Sequence, residues 1–172
     1  MKKRLLILFG FFVSPFLFSQ ILTVNSGSSI SIASGSSITL DGLEIAPSDT
    51  YVITGANDVS RSVTAVTAGA NSSVSRVYSS SALLSGFTGT LTFSYLEGEL
   101  NGITENELVL ELQSDDDSWT SYEGTVNETD NTITYTFSDA VSFKAVTASP
   151  TGATLTIEDI NPAGSSILVY PN

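Results

Sequence analysis

The 172-residue chain has no cysteine and no histidine, a single tryptophan, and six basic residues against eighteen acidic ones. Without cysteine there is no disulfide, no thiolate nucleophile, no iron–sulfur cluster and no attachment point for a bacterial lipoprotein's lipid. Without histidine there is no Ser-His-Asp triad, no imidazole general base and no histidine-based zinc site. Three of the six basic residues, Lys2, Lys3 and Arg4, open the chain, leaving Arg61, Arg76 and Lys144 to face all eighteen carboxylates. The formal net charge is −12. Such a surface repels phosphate backbones and anionic headgroups, which excludes nucleic acid as a natural partner and leaves divalent cations as counter-charges it would favour.

What is present begins with a leader. The Lys2-Lys3-Arg4 cluster precedes an apolar stretch from Leu5 to Phe18, broken only by Gly10, Ser14 and Pro15. That run is shorter than the ~20 residues a membrane-spanning helix needs. It matches the n- and h-regions of a secretory signal peptide over residues 1–19, with Ser19 as the small residue at the cut. The mature chain is expected to start near Gln20, with no transmembrane anchor after signal removal. About 150 residues remain, enough for one domain that buries about 68–70 % of its unfolded-chain surface.

The body reads as strands throughout. Residues 20–45 hold a Ser/Gly-rich repeat, Asn25-Ser-Gly-Ser-Ser-Ile-Ser-Ile32 followed by Ala33-Ser-Gly-Ser-Ser-Ile-Thr-Leu40. Each unit is a turn followed by a short alternating strand, and the pair predicts a hairpin or one edge of a sheet, the hairpin favoured, rather than a solenoid, which needs about three repeats for a stable stack. From 46 to 160 the alternation predicts strands over 50–54, 62–67, 73–78, 90–96, 107–113, 119–123, 132–137, 141–147 and 153–157. Turns are expected at Gly55 to Asp58, Gly69 to Asn71 and Asp115 to Ser118. Strands at this spacing predict an all-β, antiparallel β-sandwich of the Ig-like or jelly-roll-like kind, each sheet burying one face and wetting the other. Leu91, Phe93, Tyr95, Leu108, Leu110, Leu112, Ile133, Tyr135 and Phe137 are the expected core; Glu107, Val109 and Glu111 fall on the other face of their strand.

Within this pattern Val74-Ser-Arg-Val-Tyr78, Thr90-Leu-Thr-Phe-Ser-Tyr95, Glu99-Leu-Asn-Gly102 with Glu105 and Leu108, then Trp119 and Asn131-Thr-Ile133 follow in order. This stretch, about residues 60 to 147, resembles a β-sandwich module of surface and secreted Bacteroidetes proteins that leave by the type IX secretion system. The closing Leu168-Val-Tyr-Pro-Asn172 is similar to the opening of that system's C-terminal sorting domain, so residues 161–172 read as a linker and the start of such a domain. The resemblance implies the secretion machinery as a partner and a cell-surface or extracellular location, with retention in the periplasm for a chain lacking the sorting domain. It carries no catalytic motif.

The remaining candidates are local. Asp115, Asp116 and Asp117 could hold Ca²⁺, a hard cation that prefers carboxylate oxygens. An EF-hand loop starting there would need Gly and Glu where Thr120 and Val126 stand, so a solvated hairpin tip is the competing reading. Trp119 and Tyr122 could stack on a surface glycan, or Trp119 could cap the core. Glu97 and Glu99, ~6.6 Å apart if both lie on one strand face, have the separation of an inverting glycosidase pair at ~6.5–9.5 Å. Gly98 between them argues for a loop instead. Asn71-Ser-Ser73 and Asn127-Glu-Thr129 match the N-glycosylation pattern, which carries little weight in a bacterial chain. The Ser and Thr residues read as outward-facing strand positions. The expectation is a non-enzymatic exported module with an adhesive, spacer or structural role and no cofactor beyond calcium. A carbohydrate-binding module is the alternative, a carboxylate-only glycosidase the remote one, and an unidentified surface glycan or protein the partner.

Overall fold

The computed structural model describes residues 19–68, 71–152 and 155; all of the leader but Ser19, and the expected linker and sorting-domain start, lie outside them, as does all but Leu155 of the strand expected at 153–157. Among the described residues thirteen strands form in chain order: β1 (Ser19–Val24), β2 (Ser29–Ile32), β3 (Ile38–Leu40), β4 (Leu43–Pro47), β5 (Tyr51–Thr54), β6 (Asn57–Ser62), β7 (Thr67–Ala68), β8 (Asn71–Ser72), β9 (Val77–Ser94), β10 (Leu108–Gln113), β11 (Trp119–Tyr122), β12 (Thr125–Asn127) and β13 (Thr132–Pro150). Two single 3-10 turns, at 97–99 and 105–107, are the helical elements among the described residues, and no helix there is long and apolar enough to cross a membrane. Every ladder among the described residues is antiparallel.

The sandwich arises from one nine-stranded sheet folded over on itself. Its path runs β1-β6-β9-β13-β10-β11, with β4, β3 and β12 attached to the other halves of β9 and β13. Strands β9 and β13 are long enough to serve both layers. Residues 89–93 of β9 pair with β4 and with the start of β13, while residues 77–80 pair with β6. The Tyr78 and Phe93 rings lie edge to face with centroids 5.7 Å apart. Fifteen residues of straight strand would hold them ~50 Å apart, so β9 must bend back between them. Gly86 (φ 68°) and Gly89 (φ 131°) stand at the bend, and β13 breaks register three times between Phe137 and Ala145. At Gly89 a side chain is also excluded by space, because a Cβ would meet the Ala46 carbonyl oxygen at 2.4 Å.

Between the layers lies the expected core. Leu91, Phe93, Tyr95, Leu108, Leu110, Leu112, Ile133 and Phe137 are buried, and Tyr135 is half-buried against them. Edge-to-face ring contacts chain Tyr51, Phe87, Phe137, Phe143 and Tyr122 across the interior. Such pairs add about 0.5–1.5 kcal/mol each beyond the area they bury.

Several expectations are corrected. The two repeat units do not form a hairpin with each other: β2 pairs with β5, and β3 pairs with β4. Both units turn through a glycine at φ 77°, but Ile32 and Leu40 are each drawn into the common core, where more apolar surface is available than in a mutual pair. The expected turn at 55–58 gives way to β6 from Asn57, and the strands expected at 62–67 and 73–78 are largely irregular chain between β6 and β9. The expected pair 132–137 and 141–147 is one strand, β13.

The rule of one wet face also fails in one place. On β10, Leu108, Val109, Leu110, Glu111 and Leu112 are all buried. The excursion between β6 and β9 covers the outer side there. Val74 donates its N–H to the Ala148 carbonyl (2.9 Å), and Thr147 Oγ1 donates to the Arg76 carbonyl (2.8 Å).

Candidate functional site

The expected calcium tip is the β10–β11 turn. All three aspartates are exposed, and one carboxylate oxygen each of Asp116 and Asp117 is engaged within the protein. Asp116 Oδ1 accepts hydrogen bonds from Ser114 Oγ (2.5 Å) and from Ser118 Oγ (2.7 Å) and N–H (3.2 Å). These bonds, Ser114's first, favour the charged form and lower its pKa to about 2. Asp117 pairs with Lys144 at 2.6 Å, and Lys144 also donates to the Asp115 carbonyl at 3.1 Å. Among the described residues no three Asp or Glu side chains gather into a metal-holding group. The turn is closed by its own serines and one lysine.

Trp119 and Tyr122 are not brought together. In the β10–β11 ladder Trp119 sits opposite Gln113 and Tyr122 opposite Leu110, which puts them on opposite faces. Tyr122 turns inward, its ring 4.9 Å from Phe137 and 5.1 Å from Tyr135, and burial raises its pKa. Trp119 is half-buried and borders a shallow groove with Val66, Thr67 and Leu155.

The Glu97/Glu99 pair lies in a 3-10 turn, not on a strand. Glu99 is taken up by a charge cluster that sequence inspection missed. Arg76 donates through Nε to Glu99 Oε2 (2.7 Å) and through Nη2 to Oε1 (3.0 Å), a two-pronged pair. Its Nη1 donates to the Asp41 carbonyl (2.7 Å) and to the Tyr78 hydroxyl (2.9 Å), which itself donates to that carbonyl (2.6 Å). Arg61 pairs with the Asp41 carboxylate at 2.6 Å. The cluster ties the β3–β4 turn to β6, β9 and the chain leaving β9. With Lys144 at the aspartate turn, all three basic residues beyond the leader are spent on internal pairs. The signal for this was the scarcity of arginine itself.

Another carboxylate, Glu111, is fully buried at 1 % exposure. Its Oε1 accepts from Ser121 Oγ and Ser149 Oγ, each at 2.6 Å. Burial, the largest influence, raises its pKa against the pull of those two hydroxyls. Among the described residues no cationic side chain acts on it, and two serine hydroxyls hold it.

A regular surface of hydroxyl side chains lies on the outer face of the other layer. Register places Ser94 opposite Thr132, Thr92 opposite Thr134, and Thr90 opposite Thr136. The row through Thr92 and Thr134 continues to Glu44 and Thr39 on one side and to Thr125 on the other. Ala46 and Asn127 complete the neighbouring rows. Each of these residues is half-buried or exposed, as outer-face positions of a packed sheet are. Thr90 Oγ1 and Thr136 Oγ1 lie 2.9 Å apart, and Thr134 Oγ1 donates to Thr92 Oγ1 at 3.4 Å. The signal was visible as Thr-x-Thr-x-Ser at 90–94 and Thr-x-Thr-x-Thr at 132–136, but only the register shows that the two runs lie side by side. Comparison with known proteins finds no matching family model, no matching curated protein and no matching solved structure.

Proposed function

We propose that the chain is a non-enzymatic module of the cell exterior, acting as an adhesive, spacer or structural unit. The observation that carries this reading is the open, hydroxyl-rich face of β9 and β13, a broad surface rather than a cleft. The conspicuous carboxylates support it too: Glu99, Asp116, Asp117 and Glu111 are each committed to an arginine, a lysine or serine hydroxyls that hold local structure. Export follows from the leader at 1–19. The residue order that resembles Bacteroidetes type IX cargo supports delivery to the surface or beyond. The alternative, a carbohydrate-binding module, rests on Trp119 alone once Tyr122 faces the interior.

Two measurements test the reading. Secreted protein mapped by mass spectrometry is expected to begin near Gln20 or Ile21; mature material retaining Met1 to Phe18 contradicts export by a cleaved signal. Purified full chain incubated with polysaccharide and peptide panels is expected to leave every substrate intact. Turnover of any of them, abolished by substituting Glu97 or Glu99, overturns the non-enzymatic assignment.

A further inference from the structure

We propose that copies of the chain join head to tail through their sheet edges, β1 of one copy docking on β11 of the next. The inference deepens the structural-unit reading above and rests on it for the cleaved leader, which supplies a free α-ammonium at the start of β1. In the path β1-β6-β9-β13-β10-β11 every neighbour is antiparallel, so the first and sixth strands run in opposite directions. Two copies set side by side in one orientation therefore bring β1 and β11 together as an antiparallel pair, and the sheet continues across the joint.

Both edges suit such a partner. Among the described residues β1 pairs with β6 and β11 with β10, and no further strand follows either. Sheet edges are commonly guarded by charge, by proline or by shortness. The other layer ends in the three-residue β3 and β12. By contrast β1 and β11 hold six and four residues, with no proline and none of the chain's eighteen carboxylates or six basic residues among them. A register shift between Gln20 and Leu22 leaves β1 regular from Leu22 to Val24.

Backbone direction sets the register of the joint. Asp58 donates its N–H to Ser81 Oγ, away from β1, so its partner Thr23 turns N–H and C=O to the free edge. On the far side the Thr151 N–H bonds the Glu107 carbonyl (2.6 Å), and alternation from there turns Leu110 and Leu112 toward β11. Ser121, between their partners Tyr122 and Thr120, then turns to the free edge. Setting Thr23 against Ser121 lays Leu22 beside Tyr122, two side chains left half-buried at the rim of the core. It also brings the α-ammonium of Gln20 to the exposed Glu123. A joint of two β11 strands would instead carry Glu123 of each copy toward the aspartate turn of the other, like charge toward like.

The test is sedimentation velocity of the secreted chain beside two edge variants. Thr23→Pro removes the outward N–H of β1, and Thr120→Lys puts an inward-pointing charge on the edge of β11. Both positions are exposed, and thermal melting checks that each variant is folded. If either is not, Glu123→Lys, which turns the attraction at Gln20 into repulsion, is read alone and is expected to lose the multimers. The parent is expected to form species longer than dimers, because a head-to-tail joint leaves an unused edge at each end. Each variant alone is expected to be monomeric, and their equimolar mixture to form dimers and nothing longer, one intact β11 meeting one intact β1. A monomeric parent overturns the inference, as do multimers undiminished in a folded variant or a mixture that stays monomeric. Dimers of Thr23→Pro by itself replace the joint with a β11 pair and overturn the head-to-tail assignment. The N-terminal mass of the same sample separates the two levels of the reading. Multimers that retain Met1 to Phe18 contradict export and leave the edge joint standing, whereas monomers beginning at Gln20 remove the joint and leave export.

Discussion

The two outer faces of the sandwich are built from the same strands and treated in opposite ways. Where the ends of β9 and β13 meet β4 and β12, the outer face stays wet and rich in hydroxyls, and residues alternate cleanly between core and solvent. Where their other halves meet β6 and β10, the chain between β6 and β9 lies over the sheet. There Val109, Glu111, Thr147 and Ser149 are buried beneath it. The first face needs only period-two alternation. The second needs partners for every polar atom it buries, and it has them: Glu111 is held by Ser121 and Ser149, and Thr147 by the Arg76 carbonyl. A half-wet sheet can be specified by a simple pattern, while a doubly buried one requires particular side chains from distant segments.

The largest effect should come from the core that both regions share. Phe93 is fully buried and packs edge to face on Tyr78, joining the layers across the bend in β9. Phe93→Ala is expected to cost about 3–5 kcal/mol, a large part of a typical ~5–15 kcal/mol stability. Urea unfolding reads it as a lower midpoint, and an unchanged midpoint would mean the layers are not packed there.

The charge cluster sharpens the contrast next. Arg76 and Glu99 have side chains 9 % and 14 % exposed, so removing the guanidinium leaves a carboxylate with little water around it. Arg76→Met is expected to cost roughly 3 kcal/mol, the lower end for breaking a buried pair, because Arg61 remains 3.6 Å from Glu99. Lys144→Ala breaks the Asp117 pair at an exposed turn and should cost at most about 1 kcal/mol. Equal losses in the same urea titrations would place the two pairs in the same environment and erase the distinction.

Glu111 tests the buried outer face through pH. Burial raises its folded pKa above the ordinary 4.5, so the folded chain holds the proton more tightly than the unfolded one. Its contribution to stability is then fully present below about 4.5 and is lost as pH rises through the folded value. Glu111→Gln keeps the oxygen that Ser121 and Ser149 bond and removes the charge. The variant should match the parent near pH 4 and exceed it near pH 8. A variant weaker than the parent at pH 8 would show that the two hydroxyls stabilise the carboxylate enough to outweigh burial.

These cases mark how far the sequence could be read. The core of β9, β10 and β13 was legible because Leu91/Phe93, Leu108/Leu110/Leu112 and Ile133/Phe137 alternate against polar residues. The continuity of β9 through Ser79–Gly89 was not, since a bending strand with register shifts loses its period-two signature. Glu111 was assigned to the wet side because alternation cannot announce a covering segment from thirty-five or more residues earlier. Trp119 and Tyr122 are both stacking candidates in the sequence, but three residues apart on a strand they fall on opposite faces. The Arg76–Glu99 cluster depends on tertiary folding alone. At the hydroxyl face the residues were all visible, and only pairing gave them an arrangement.

The smallest expected effect bears most directly on that face. Thr92 precedes Phe93 on β9 and points the opposite way, half-buried among Glu44 and Thr134 rather than in the core. Thr92→Ala removes one β-branched side chain from an outer surface and a 3.4 Å hydroxyl contact from Thr134. Strand propensities in a host sheet span about 1 kcal/mol in all, and a weak partly exposed hydrogen bond adds little to that. The loss should therefore stay under about 1 kcal/mol, several times smaller than at Phe93. Unfolding midpoints of the two alanine variants, measured side by side, decide it. Comparable losses would mean that the threonine face is covered in the folded protein, because only a packed position could make a single threonine so costly; it would then be an interior surface and no longer available to bind anything outside.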